Sequence, residues 1–559
     1  MKSFKNKLPL VIAATLLCVG IAYQNCGSQQ NKEIITNGFV EKTYTGPKEF
    51  SIKDEQKDST EKTEEPAVEE KVAEGKIAED TSKKTDVTQD AKIGETLRPT
   101  SGRKIDPCKM DTNGNGVIDK NDQKLLSQMM QNGLTPDQIE QFDYNNDGQV
   151  NQTEILYYPS HVGEICQKLK KIVVNEQSTC AISRTGKIYC WGSGLYGQLG
   201  NGSPFQLLPM EIDVSSLGIA NNFKDISAGL YYYCAIHDSG KVYCWGHNEE
   251  GVMGNGTTAN EYPTPVEINM AGTGFTNDFK SIAAGLDIQW NGTGHACAIH
   301  ATGQLFCWGN NDDGKLGTGN MTNSATPILV NNSQFSSPEI IDVSAGHHHT
   351  CAIDSNEKLY CWGGNAFGAL GNGNTTDQLL PVEVNVSSLG LTNNFKKVSA
   401  GASHTCAIHT NNKAYCWGIG MFGMLGNGFD TNQLTPSEVG FSQTGFSNTI
   451  KDMSAGIDST CAIDTNNKGF CWGSNEWGQL GIGFMGNNYN LPQPIEDQAP
   501  ENATFKLLSA PHGRHTCGIG TNGKTYCWVY GSAGQLGNGT TTLMSSHPMD
   551  LEVNVINIQ

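Results

Sequence analysis

From residue 169 to the end of the chain, short apolar runs alternate with Gly-rich polar stretches, and the alternation recurs. In the first copy Thr179-Cys180-Ala181-Ile182 precedes Gly186-Lys187-Ile188-Tyr189-Cys190-Trp191-Gly192, and Gly197-Gln198-Leu199-Gly200-Asn201-Gly202 follows. The leading cysteines stand at 180, 234, 297, 351, 406, 461 and 517, at intervals of 54, 63, 54, 55, 55 and 56. A period near 55 marks stacked or radial units, each too small to bury its own apolar face. A further strand precedes each hairpin, as in Ile226-Ser227-Ala228-Gly229, Val343-Ser344-Ala345-Gly346 and Val398-Ser399-Ala400-Gly401. Downstream, Gly-rich punctuation leads into runs such as Pro265-Val266 and Pro381-Val382. Four short strands per repeat with Gly turns are the content of a propeller blade, and radial closure removes exposed sheet edges. The expected fold class is mainly β, a seven-bladed β-propeller over 169–559. The terminal Val553-Asn554-Val555-Ile556-Asn557-Ile558 reads as one more strand, able to complete the ring near Ile172.

Each leading cysteine is followed ten positions later by another, at 190, 244, 307, 361, 416, 471 and 527. In an antiparallel hairpin with a three-residue loop these positions lie opposite each other. Such a loop wants a left-handed residue third. That place is held by Gly186, Gly240, Gly303, Glu357, Asn412, Asn467 and Gly523, and Gly and Asn tolerate it best. Facing cysteines can bond where the strand pair is a non-hydrogen-bonded one. Seven disulfides are expected: Cys180–Cys190, Cys234–Cys244, Cys297–Cys307, Cys351–Cys361, Cys406–Cys416, Cys461–Cys471 and Cys517–Cys527. Metal binding is the rival, but no repeat brings four Cys or His ligands together locally.

The N-terminal third has a different texture. Lys2, Lys5 and Lys7 precede an uncharged apolar stretch, Leu8 to Ala22, too short to span a bilayer comfortably and placed like a secretory signal. Export implies an oxidising compartment, where thiols pair. Tyr23-Gln24-Asn25-Cys26 resembles a bacterial lipobox only in its Cys; the rival is cleavage after Ala22. Sixteen of the other cysteines find partners, which leaves Cys26 odd and favours lipidation there. Segment 1–26 is thus read as signal and anchor site. Residues 27–104 are read as a disordered tether: positions 51–100 hold fourteen acids, nine bases and no aromatic, too little apolar surface to offset chain entropy. About 80 residues of coil span roughly 50 Å.

Residues 105–168 form a separate module. Asp111, Asn113, Asn115, Val117 (through its carbonyl), Asp119 and Asp122 fall at positions 1, 3, 5, 7, 9 and 12 of a loop whose sixth residue is Gly116. Asp143, Asn145, Asp147, Gln149 (carbonyl), Asn151 and Glu154 repeat the pattern 32 residues later, around Gly148. A hard, oxygen-seeking cation needs this spacing. Gln123 to Gln131 reads as the helix leaving the first loop, and Thr135-Pro136 caps a second helix running to Phe142. The pair resembles EF-hands, and the first loop is dockerin-like. Calcium is the expected cofactor, more weakly held in the first loop, which ends in Asp122 where the pattern has Glu. Stiffening between tether and propeller is its expected role. Cys108 and Cys166 flank the module and are expected to pair; two free thiols are the alternative.

The propeller repeats resemble the RCC1 family. The resemblance rests on recurring Ser-Ala-Gly, His-Thr-Cys-Ala-Ile, Cys-Trp-Gly and Gly-Gln-Leu-Gly-Asn-Gly elements over about 170–559. It implies a seven-bladed propeller that binds proteins on its faces. Nucleotide exchange on a nuclear GTPase does not carry over to an exported chain. Net charge is −19, which argues against nucleic acid. Gly518 to Thr525 matches a phosphate-loop pattern but spans a hairpin turn, so no nucleotide is expected; Gly309 to Lys315 is a near-miss of the same kind. His347-His348-His349 invites a metal reading, yet His349 occupies a repeat position shared with His295, His404 and His515, which points to a structural role. The Trp after each second Cys is read as blade packing. Trp290 and Trp477 are read as lying outside the repeat pattern and as candidates for exposed aromatics. The longest interval holds an insertion, Asp287 to Gly294, the candidate loop for specific recognition.

The expected function is a calcium-binding protein-interaction module of adhesin, scaffold or inhibitor type, not an enzyme. It would be exported, and either anchored in the cell envelope through a lipid on Cys26 or secreted. The alternatives are an enzyme with a central-channel site and a purely structural envelope protein. A cluster of acids or His at the channel mouth would mark the enzyme.

Overall fold

The computed structural model describes residues 169–258, 261–285, 294–495, 504–510, 515–529, 531–541 and 545–551. The signal, Cys26, the tether, both calcium loops, Cys108, Cys166, Trp290 and Val553 to Ile558 lie outside them. The described residues form seven antiparallel four-stranded sheets, each built from consecutive strands. The first blade comprises an inner strand Leu169–Val174, a second strand Ser178–Ser183, a third strand Ile188–Ser193 and an outer strand Phe205–Glu211. The other inner strands are Phe223–Ala228, Phe279–Ala284, Ile340–Ala345, Phe395–Ala400, Ile450–Ala455 and Phe505–Ser509. Each touches the next, and the last touches Leu169–Val174, so the ring closes. The seventh outer strand is Ser545–Leu551.

Antiparallel order sorts the connections. Loops from inner to second strand and from third to outer strand share one face, here the loop face. The hairpin turns and the linkers between blades share the other, the hairpin face.

The hairpin turns follow from the left-handed third residue. Ser183 N–H donates to Lys187 O (2.8 Å) and Gly186 N–H donates back to Ser183 O (3.0 Å). Gly186, Gly240, Gly303 and Gly523 take φ between 83° and 93°, and Glu357, Asn412 and Asn467 take 66° to 69°. This turn sets the register that makes Cys180 face Cys190 and likewise in all seven blades. The paired Cα atoms are 4.0–4.1 Å apart, the close approach of a non-hydrogen-bonded pair. The geometry of all seven pairs is compatible with disulfides, and every one of these cysteines is buried.

Blades are joined through tryptophan. Trp191, Trp245, Trp308, Trp362, Trp417, Trp472 and Trp528 are fully buried. Each indole N–H donates to a backbone carbonyl in the preceding blade's outer loop, for example Trp417 to Ala369 O and Trp472 to Met424 O, at 2.9 and 3.0 Å. Last to first, Trp191 donates to Gln535 O at 2.9 Å. The second Gly of each Gly-Gln-Leu-Gly element makes room for the ring: a Cβ on Gly371 would stand 2.6 Å from Trp417 Nε1, and Gly371 has φ +65°. The repeat signature is therefore mostly inter-blade packing, which is where burying large aromatics stabilises most.

Candidate protein-binding face

The signature His and Thr also serve the blade junctions. His349 Nε2 lies 2.7 Å from Thr405 Oγ1, whose own hydrogen goes to Ala369 O at 2.8 Å. With that proton committed, the hydroxyl accepts, so Nε2 carries the ring proton. The same chain joins His295 to Thr350, His404 to Thr460 and His515 to Thr179. Burial holds His349 at about 3 and His404 at about 4, and it holds His295 well below the usual histidine range. Ser459 takes the His place in the sixth blade and its Oγ is left without a partner, but at two other departures the substitutes compensate in reach. Ser178 is short, and the long Tyr233 meets it at 3.0 Å. Ala296 lacks a hydroxyl, and Tyr232 reaches past it to donate to His295 O at 2.7 Å. These histidines hold the ring together.

The centre of the ring is spent in the same way. Serines at the fifth position of the inner strands accept an N–H from the next inner strand, as Ser344 does from Ala400 and Ser399 from Ala455, both at 2.9 Å. At the third position Lys171 pairs with Asp225 and Lys397 with Asp452. Asp342 accepts from Val398 N–H at 2.9 Å, and burial lifts its carboxyl to about 6. The channel acids are thus tied to lysines or backbone. Among the described residues no three His, Cys, Asp or Glu side chains are grouped to hold a metal ion.

His347 and His348 sit on the loop face. His348 Nδ1 lies 2.8 Å from Asp313 Oδ2, and the Lys315 ammonium donates to His347 O at 3.2 Å. The Gly518–Thr525 segment is the end of strand His515–Gly520, a turn, and the start of strand Thr525–Val529, with no helix.

Trp477 corrects the expectation made for it. It stands inside the repeat, in the place of Tyr196, Phe367 and Phe422 in other outer loops. Its ring is half-buried against the apolar cluster of Leu480 and Trp528. A glycine follows each of these aromatics, and that shared spacing was the available signal.

The two faces differ in charge. Among the described residues, the loops of the loop face carry Glu176, Glu249, Glu250, Asp312, Asp313, Asp377, Asp430, Asp458 and Glu476, against one base, Lys315. Thirteen of the sixteen Lys and Arg residues described lie on the hairpin face. There many are matched by acids, as in Lys187–Glu211, Lys241–Glu267 and Lys413–Glu438. The loop face also displays apolar side chains: Leu195, Met321, Met421, Phe422, Phe429, Phe484 and Met485 are all exposed and all lie in outer loops. Tyr196 packs on Tyr231 and His247, at centroid separations of 4.8 and 5.4 Å. Gly285 and Gly294, which flank the insertion, lie on this same face; residues 286–293 lie outside the described set. Sorting charges by repeat phase would have exposed the acidic face in the sequence, where net charge alone hid it.

Comparison with known proteins agrees with this architecture. An RCC1-like domain model matches residues 288–559, and RCC1 repeat models match 169–198 and 223–252, and 185–236 and 239–288. A dockerin type I domain model matches 109–159. The ultraviolet-B receptor UVR8 of Arabidopsis thaliana is 31% identical over 357 residues, 64% of this chain and 76% of the receptor. The E3 ubiquitin-protein ligase HERC2 of Mus musculus is 28% identical over 379 residues, 67% of this chain but 7% of the ligase. Human WBSCR16 superposes with a TM-score of 0.55 at 16% identity, covering 66% of this chain and 94% of that one. Yeast RCC1 (Prp20), solved bound to Kap60, gives a TM-score of 0.55 at 20% identity, covering 66% and 83%. Sequence likeness and blade architecture together place the chain in the family of RCC1-repeat β-propellers.

Proposed function

We propose that this chain is an exported protein-binding module whose acidic, apolar-studded loop face engages a basic surface on a partner protein. The carrying observation is the segregation of charge: among the described residues, nine carboxylates and one base in the loop-face loops, with exposed Phe and Met among them. Interfaces of this kind combine apolar anchors with complementary charge. The yeast RCC1 propeller was solved bound to another protein, which is consistent with this use of the fold. The tied channel acids and the tied histidines favour binding over catalysis. Neutralising Glu249, Glu250, Asp430 and Glu476 to their amides is expected to weaken partner binding at least tenfold and flatten its salt dependence. Neutralising Lys187, Lys241 and Lys413 on the hairpin face should leave it unchanged. Equal losses from both sets, measured by titration calorimetry on the full chain, would refute the assignment.

The same proposal gives the rest of the chain its roles. The signal exports it, the cysteine pairs oxidise outside the cytoplasm, Cys26 carries a lipid, and the tether holds the propeller away from the membrane. The loops at Asp111–Asp122 and Asp143–Glu154 bind calcium and stiffen the junction. Calorimetry should find two calcium ions per chain, with Glu154→Gln weakening the tighter site roughly tenfold or more. Unchanged affinity in that variant would remove the second loop from the assignment.

A further inference from the structure

The outer loop of the fifth blade departs from its six siblings. Phe422 has φ 61° and ψ 7°, whereas Tyr196, Glu250, Asp313, Phe367, Trp477 and Ala533 at the matching positions have negative φ. A left-handed aromatic is a strained backbone conformation. Below Phe422 the loop is anchored on the next blade as its siblings are: a Cβ on Gly423 would stand 2.4 Å from Asn490 Cα. Gly428 N–H donates to Asn490 O at 2.8 Å. Met421 and Phe422 are each 38% exposed and Phe429 is 62% exposed.

Met421 and Phe422 line an opening of about 350 Å³ together with Asp430, Asn488 and Asn490. That volume lies within the range of small ligand sites and suits one large apolar side chain with its flanking backbone. Asp430 stands at its edge, and no described Lys or Arg lies within ion-pair distance of it. Residues 419–449 and 474–503 contain no Lys or Arg at all, while Asp430 and Glu476 stand in the two outer loops. An opening with Met421 and Phe422 as its apolar part, Asn488 and Asn490 able to meet an extended backbone, and an unneutralised Asp430 complements an apolar side chain flanked by positive charge. An anionic membrane surface would be repelled by the same acids.

We propose that this opening receives a Phe- or Leu-sized side chain from an extended partner segment, with an adjacent Lys or Arg meeting Asp430. The assignment rests on the protein-binding reading of the loop face and gives that reading its anchor site.

The test uses the full secreted chain with 13C-methyl-labelled methionine. The probe is the acetylated peptide Lys-Lys-Phe-Lys-Lys, and its controls replace Phe by Ser or every Lys by Glu. The peptide is expected to shift the Met421 methyl resonance saturably, and both controls should fail to. Asp430→Asn should weaken the response at least fivefold with the buried Met453 methyl unmoved, which shows the variant to be folded. Phe422→Gly should abolish the response and raise thermal stability, because it releases the left-handed strain. Three results overturn the proposal: a silent Met421, an equal response to the Glu peptide, or a stronger response to anionic vesicles or a neutral oligosaccharide. If the Met321 methyl on the third blade responds instead, the anchor site is wrong while the loop face stands. If no outer-loop methyl responds and the loop-face amide variants bind their partner normally, both are wrong.

Discussion

Reducing the seven cysteine pairs should unfold the propeller. Each pair closes a ten-residue span, for which loop-closure entropy gives about 2–3 kcal/mol. Summed over seven blades this exceeds the roughly 5–15 kcal/mol that stabilises an ordinary domain. All fourteen sulfurs are buried, so reductant alone should act slowly, through transient opening. Reductant with mild denaturant should act at once. Exchanging one pair, Cys406 and Cys416, for Ala and Val should cost about 2–3 kcal/mol in chemical denaturation. A chain that melts at the same temperature with and without reductant would show that the thiols are free and would take away the argument for an oxidising compartment.

Acid should be the second large perturbation. Burial keeps His349 at about 3 and His404 at about 4, with His295 also far below its ordinary range. The unfolded chain takes up these protons near pH 6.5. The stability these rings contribute is therefore complete above that pH and is lost as pH falls toward the folded values. For His404 alone the loss between pH 7 and 4 is about 3 kcal/mol. The physical reason is plain in the geometry: Nε2–H already serves a threonine, and Nδ1 of His295, His349 and His404 has no hydrogen-bond partner, so a second proton would be buried unanswered. Asp342 and Asp458 work in the opposite direction. Burial raises both to about 6, so the folded state gains relative stability as they protonate between pH 6 and 4. Three histidines outweigh two aspartates, and unfolding free energy should drop by several kcal/mol from pH 7 to 4. In His404→Gln the drop should be smaller by about 3 kcal/mol, although the variant is weaker at neutral pH. A pH profile that His404→Gln leaves unaltered would show that this junction does not titrate on unfolding.

Much of this architecture was legible in the sequence because the repeat is built from packing constraints that leave residue-specific marks. The period, the paired cysteines and the turn residue at position three each follow from one backbone geometry, and Glu357 shows that the geometry prevails even over an unfavourable residue. His349 could be placed as structural by its recurrence alone. Its partner could not, since the Thr405 hydroxyl belongs to the next blade, 56 residues away. The compensation between Ser178 and Tyr233, or between Ala296 and Tyr232, looks like drift until the blades are adjacent. Trp477 was misplaced because its neighbours in the repeat position are Tyr, Phe, Glu, Asp and Ala, a set with no shared chemistry. The strained Phe422 left no mark either; nothing in Gly-Met-Phe-Gly distinguishes its backbone from Gly-Leu-Tyr-Gly. The acidic face was hidden by averaging, since net charge counts both faces and the tether together.

Hydrogen exchange of the full chain, free and saturated with a partner protein first isolated by pull-down on the full chain, tests the central claim most directly. Protection is expected in the outer loops at 310–323, 419–432 and 474–488, with the hairpin turns around Gly186, Asn412 and Asn467 exchanging as before. Protection confined to those turns would mean that the partner reads the opposite face, and the charge pattern would then have no part in recognition.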